Sequence, residues 1–118
     1  MRYLPVCAPE LIPPLGLKPE ELTHWLAAVP TIRFDDDDAL PGAFAQELGV
    51  DVASLRAHLI PSNREYFDAV RAGLGWSVLP EGQVTNELNT GAVVRLPTPT
   101  IVHVPLYWHR WRLDSDLR

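Results

Sequence analysis

Short apolar runs alternate with segments of helical periodicity along this chain, and the links between them are only a few residues long. That alternation limits the folds open to it more than any other feature. RYLPVCA (2–8) reads as a strand, and residues 9–17, with three prolines and a glycine, read as a connection. Pro19 suits the first turn of a helix. Glu20 and Glu21 follow near the positive end of its dipole, and Leu22, Trp25, Leu26 and Val29 recur at helical spacing before Pro30 stops it. TIRF (31–34) is a second strand. Asp38 is placed to cap a helix over about 39–48, which Gly49 ends.

The pattern then repeats. After a linker around Asp51, LRAHLIP (55–61) gives a third strand. SNRE (62–65) has the Ser-x-x-Glu form of a capping box, with Ser62 as N-cap and Glu65 reaching back. Phe67, Val70 and Leu74 mark one face of the helix that follows, and Gly73 and Gly75 close it. WSVLP (76–80), EGQVTNEL (81–88) and AVVRL (92–96) continue as strand, helix and strand. Such an order predicts an α/β fold: an open, mostly parallel sheet with helices on both faces, whose ligands sit at the carboxyl ends of strands.

The last apolar run, IVHVPLYWHRW (101–111), differs from the others because both of its alternating faces are bulky. It predicts a strand covered on both sides, with Pro105 favouring an edge, a bulge or a crossing between sheets. No repeat of fixed period is present, and the only low-complexity tract is the run of aspartates at 35–38.

Composition narrows the function classes. The 118 residues are 47% hydrophobic and 21% charged, the profile of one ordinary soluble domain. A chain of this length buries roughly two-thirds of its unfolded surface and needs no metal or disulfide to hold together. Cys7 is the single cysteine, so no internal bridge can form, which fits a cytoplasmic protein. A net charge of -5 argues against direct DNA binding by this chain, since phosphate neutralisation needs a basic face. No apolar run reaches the length of a membrane span, and the start lacks the form of a signal peptide.

Three stretches taken in order, IRFDDDD (32–38), PSNREYFDAVRAGLGWSVLPEGQVTNEL (61–88) and VPLYWHRWRL (104–113), resemble the effector-binding part of LysR-type transcriptional regulators. Within that family the similarity is to the arginine/lysine-responsive branch, which includes regulators of basic-amino-acid export and the inhibitor of chromosome replication initiation. The resemblance covers nearly the whole chain. It implies a periplasmic-binding-protein-like (type 2) regulatory subdomain over about 8–100, with residues 1–7 and 101–118 as strands crossing toward a first subdomain. The family's DNA-binding helix-turn-helix lies outside the stretches matched here. Sequence-specific transcriptional control is therefore expected of a longer regulator, and amino-acid sensing of this part.

The same resemblance implies a set of effector-binding residues: Phe34 and Asp35 from the Phe-Asp pair after a strand, Ser62 and Asn63 at a helix start facing the inter-subdomain cleft, and Trp108 in the return strand. Each also has a plainer reading. Ser62 and Asn63 can simply cap a helix, although free N–H groups and the dipole at such a start also suit an amino-acid carboxylate. Residues 35–38 can be a solvated cap. They can also be imagined as a metal site in a small acidic enzyme or metal-binding domain, but adjacent carboxylates on an extended chain lack the spacing and glycine of a calcium loop. Asp35 at the cleft edge would suit a lysine or arginine side chain.

LYWHRW (106–111) can stack bases, yet the acidic balance favours the account in which Tyr107 and Trp108 fill a junction between subdomains. Exposed tryptophans there would invite a homo-oligomer or a strand-exchanged dimer. Cys7 reads as a small apolar residue, and His24 and His58 as residues of a helix surface and a strand. Neither a cofactor, a metal, a membrane partner nor a catalytic residue is expected.

Overall fold

The computed structural model describes residues 2–35 and 38–103. Its centre is β1 (Arg2–Cys7), in which Tyr3, Leu4, Val6 and Cys7 are all buried. Period-2 alternation sends Tyr3 and Cys7 to one face of the sheet, and Leu4 and Val6 to the other. Two apolar clusters result. The first packs α1 (Leu22–Ala28) and α2 (Leu40–Glu47) against β1 through Leu22, Trp25, Leu26, Leu40 and Phe44. The second packs α3 (Asn63–Arg71) and α4 (Glu81–Thr90) through Tyr66, Val70 and Val84. Helices thus cover both faces, as the alternation of elements predicts.

Strand directions are mixed. β2 (Thr31–Arg33) and β3 (Ala57–Leu59) pair in parallel, and Thr31 forms an isolated parallel bridge to Trp76 at the start of β4 (Ser77–Pro80). β1 runs antiparallel to β4, to β5 (Val94–Arg95) and to β6 (Val102–His103). Parallel pairing therefore belongs to the two-stranded β2–β3 sheet, which meets the four-stranded sheet of β1, β4, β5 and β6 at the Thr31–Trp76 bridge and is built from a strand-helix-strand unit whose crossover returns the chain in the same direction. β1 is no part of such a unit: it enters through the middle against that direction, and the expectation of a mostly parallel sheet does not extend to its pairings.

Pro5 lies inside this central strand, where a missing ladder donor is normally costly. The arrangement removes the cost. Leu96 N–H donates to the Pro5 carbonyl at 3.0 Å, so the Pro5 nitrogen faces the same side, between the stretch paired to β5 (Val6 and Cys7) and the stretch paired to β6 (Arg2 and Tyr3).

Two glycines are required by geometry. Gly73 ends α3 with φ of +85°, a conformation that side chains disfavour. At Gly75 a β-carbon would collide with the Pro30 carbonyl, and this close approach lets Trp76 N–H donate to Pro30 O at 3.0 Å and Ile32 N–H donate to Trp76 O at 2.8 Å. Trp76 itself is fully buried, edge-on to Phe44 with ring centroids 5.8 Å apart, and its indole donates to Val29 O at 3.1 Å.

Local departures from expectation have identifiable causes. The first helix begins with a 3-10 turn, Pro19–Glu21, in which the Lys18 amide donates to the Glu21 carboxylate at 3.0 Å. Ser62 occupies the N-cap of α3 with extended dihedrals, but its hydroxyl makes no cap hydrogen bond, so the capping box read from Ser62 and Glu65 does not form. The strands at 55–61 and 92–96 shorten to Ala57–Leu59 and Val94–Arg95. Beyond His103 the last apolar run, Trp108 included, lies outside the described residues.

Candidate functional site

Parallel pairing of β2 and β3 determines which side chains share an end of the sheet. Arg33 is opposite Leu59, and the Ile60 amide donates to Arg33 O at 2.9 Å, which holds the two strands together to their carboxyl ends. One residue past β2 come Phe34 and Asp35. Three residues past β3 comes Ser62, the N-cap of α3, and then Asn63. The fold therefore brings four of the five expected effector-binding residues to one end of the sheet, where α/β domains receive ligands. Trp108, the fifth, falls outside the described residues.

The four differ in what they offer. Phe34 is 7% exposed and belongs to the second apolar cluster, so its ring is chiefly a packing element. Asp35 and Ser62 are half-buried, and Asn63 is exposed. The α3 start presents an extended residue followed by helical backbone, with Tyr66 N–H already donating to Ser62 O at 2.7 Å. The helix start thus places the positive end of the α3 dipole at the carboxyl end of β3.

Asp38 organises the β2 exit. It is 7% exposed, and its two carboxylate oxygens accept from Phe34 N–H at 2.8 Å and Leu40 N–H at 3.3 Å. Its own amide donates to Asp35 O at 3.1 Å, and its carbonyl accepts from Arg33 Nε at 3.1 Å. Residues 34 and 35 are thereby held in a closed turn whose fastening is this buried carboxylate. The sequence reading places Asp38 as the cap of a helix over about 39–48; α2 instead starts at Leu40 with Ala39 at its N-cap, and Asp38, one residue earlier, accepts from the Leu40 amide. The bond back to Phe34 was not legible, because it depends on how the fold returns the Asp38 carboxylate to the end of β2.

A second polar centre lies beneath. Ser77 is fully buried and Tyr66 is 3% exposed; Ser77 Oγ donates to Ile32 O at 2.9 Å and Tyr66 OH donates to the same carbonyl at 3.1 Å. The two hydroxyls are also hydrogen-bonded to each other, so their two protons are shared among three contacts. Neither residue was singled out by sequence, where Tyr66 is indistinguishable from any other aromatic on an apolar helix face.

Cys7 is fully buried, and burial, with the Glu10 carboxylate adding to it, pushes its thiol up to about 12. It behaves as a small apolar residue. His24 and His58 are both exposed, on α1 and β3. Among the described residues no group of three or more His, Cys, Asp or Glu side chains is arranged to hold a metal ion, and no helix is long and apolar enough to cross a membrane.

An open α/β sheet covered by helices on both faces, with a polar turn and a helix start converging at strand ends, defines a ligand-receiving domain of the periplasmic-binding-protein-like type. More particularly, the chain belongs to the LysR substrate binding domain family, whose model matches residues 1–117. It is 38% identical over 120 residues to the HTH-type transcriptional regulator ArgP of Pseudomonas aeruginosa, covering 99% of this chain and 38% of that protein. It is 39% identical over 118 residues to the lysine export transcriptional regulatory protein LysG of Corynebacterium efficiens, covering 99% of this chain and 39% of that protein. The chain thus spans under two-fifths of the length of these relatives. Full-length LysG from Corynebacterium glutamicum with bound effector Arg has the same fold, with a TM-score of 0.67 and 24% identity over 99% of this chain and 42% of that one.

Proposed function

We propose that this domain is the sensing part of a LysR-type transcriptional regulator and that it receives a basic amino acid, arginine or lysine, at the carboxyl ends of β2 and β3. The observation that carries the reading is the convergence there of a half-buried carboxylate, Asp35, with the start of α3 at Ser62 and Asn63. The two features suit the two ends of such a ligand. First-turn N–H groups favour an α-carboxylate, and Asp35 favours a guanidinium or ammonium group. The relative named as a lysine export transcriptional regulatory protein, and the solved LysG with bound effector Arg, support the same chemistry.

In this reading residues 8–100 form the second regulatory subdomain, and residues 1–7 and 101–118 are the strands that cross to the first. The adjacency of Arg2 to His103 and of Tyr3 to Val102 supports it, since the chain then enters and leaves side by side. DNA contact belongs to a helix-turn-helix part like that named in the ArgP relative, self-association to a homo-oligomer or strand-exchanged dimer, and the setting is the cytoplasm. The domain works as a receptor, not an enzyme.

Titration calorimetry of the domain and of a regulator carrying it, with arginine, lysine and a neutral amino acid, tests the proposal. Saturable binding of a basic amino acid, weakened about tenfold or more by Asp35→Asn and not by Glu20→Gln at an exposed position before α1, is the expected result. Equal response of wild type and Asp35→Asn would remove Asp35 from the site. The rival, an acidic metal-binding or enzymatic domain using residues 35–38, has to contend with Asp38, whose carboxylate already accepts two backbone N–H groups. Stoichiometric binding of Mg²⁺, Ca²⁺ or Zn²⁺, followed by tryptophan fluorescence, would favour that rival.

A further inference from the structure

We infer that the Tyr66 and Ser77 hydroxyls are positioning groups for the candidate site, tying the start of α3 to the end of β2 through the Ile32 carbonyl. The inference rests on the ligand reading above and adds to it which buried groups keep the two halves of the site in register.

The argument begins with the way β2 leaves the sheet. β2 and β4 meet at one isolated bridge among the described residues, Thr31 to Trp76. From Ser77 onward β4 instead pairs with β1, Ser77 lying opposite Val6. The Ile32 carbonyl comes just after that bridge, at the fork. A buried carbonyl needs a donor, and here two side chains supply it. The two hydroxyls have two protons for three contacts, the third being their own hydrogen bond, so Tyr66, Ser77 and the Ile32 carbonyl form one shared network in which each hydroxyl also has lone pairs to accept.

Each donor comes from a different element. Ser77 belongs to β4, and Tyr66 lies in the first turn of α3, four residues after Ser62. Ile32 is two residues before Phe34 and three before Asp35. One buried carbonyl therefore joins the strand that delivers Asp35 to the helix that delivers Ser62 and Asn63. Phenylalanine at 66 would fill the same apolar space between Val70, Phe34 and Ile32. The hydroxyl contributes hydrogen bonds, to Ile32 O and to Ser77, and little apolar area, so removing it separates positioning from packing.

The test uses Tyr66→Phe and Ser77→Ala, with Val70→Ala as a variant that loosens the same cluster without touching the tie. Residue-resolved amide hydrogen exchange is measured on each folded variant, and arginine and lysine dissociation constants are measured in parallel. Tyr66→Phe is expected to speed exchange of the Phe34 amide and of the first-turn amides of α3 about threefold to tenfold, leaving Leu4 and Leu79 at wild-type rates. Its dissociation constant should rise by a similar factor at temperatures where the variant is fully folded. Ser77→Ala should show the same local pattern, which decides the matter if Tyr66→Phe does not fold.

Uniform acceleration across the cluster, as Val70→Ala should give, or no acceleration at all, would reduce the hydroxyls to packing and overturn the inference. Wild-type protein that binds neither amino acid would instead overturn the ligand reading, and the exchange data would still decide whether the tie exists.

Discussion

Asp38 is the residue whose chemistry most exceeds its sequence context. A carboxylate 7% exposed, spanning Phe34 N–H and Leu40 N–H, holds the turn on which Asp35 sits. Asp38→Asn swaps one accepting oxygen for an amide that faces a donor. We expect a loss of about 2 kcal/mol in urea unfolding, and a change below about 0.5 kcal/mol would show that the turn is fastened otherwise. Cys7 gives a pH prediction. Its thiol titrates near 12 in the folded chain, above its ordinary value of about 9, so between these values the unfolded state releases a proton that the folded state keeps. The buried neutral thiol then contributes full stability below pH 9 and loses it as pH rises toward 12, by up to about 1.4 kcal/mol per pH unit. Equilibrium unfolding at pH 8 and pH 10.5 should show that loss, and Cys7→Ala should flatten it. The native thiol should also resist a disulfide reagent at pH 8 until the chain is unfolded.

Among the elements, β2 is short yet decisive. Its three residues pair with β3 on one side, touch β4 at a single bridge on the other, and end where the candidate site begins. The bridge depends on Gly75, because any side chain there meets the Pro30 carbonyl. Gly75→Ala should therefore destabilise the domain by about 1–3 kcal/mol through a forced shift of Pro30 or Trp76. A change in tryptophan emission that Trp76→Phe abolishes should accompany the loss, since the Trp76 indole hydrogen bond to Val29 lies beside the collision. Unchanged stability would mean that β2 and β4 separate freely. α3 shows the complementary economy: its N-cap serine does not cap, while its buried face supplies both apolar packing and the Tyr66 hydroxyl.

At the scale of the whole molecule, the two apolar clusters share β1 and β4 as a common wall. Tyr3, Cys7 and Val78 face one cluster, and Leu4, Val6 and Leu79 face the other. Neither cluster can lose its wall without exposing the other, so the described domain should unfold as one unit. In a Trp108→Phe/Trp111→Phe variant, whose remaining tryptophans are Trp25 and Trp76 of the first cluster, fluorescence should give the same urea midpoint as far-UV circular dichroism. Separate midpoints would mean that the α3–α4 side melts independently. The Arg2–Glu81 pair that links β1 to the start of α4 is exposed on both sides, and its removal should move that midpoint little.

Sequence alone determined the order and kind of most elements, since apolar period and the Pro and Gly stops act over a few neighbouring residues. Trp25 and Leu26 mark their helix, and Leu4 and Val6 their strand, whatever lies beyond. Ordered motifs likewise carried the family and pointed to Asp35 and Ser62. Tertiary structure decided what depends on contacts between residues far apart in the chain: the antiparallel placement of β1, the second bond of Asp38 to Phe34, and the meeting of Tyr66 and Ser77 at Ile32, between 34 and 45 residues upstream. Helical and strand periods say which face of an element is buried. They do not say which distant carbonyl a buried hydroxyl will find there, because the packing of the assembled sheet selects that partner.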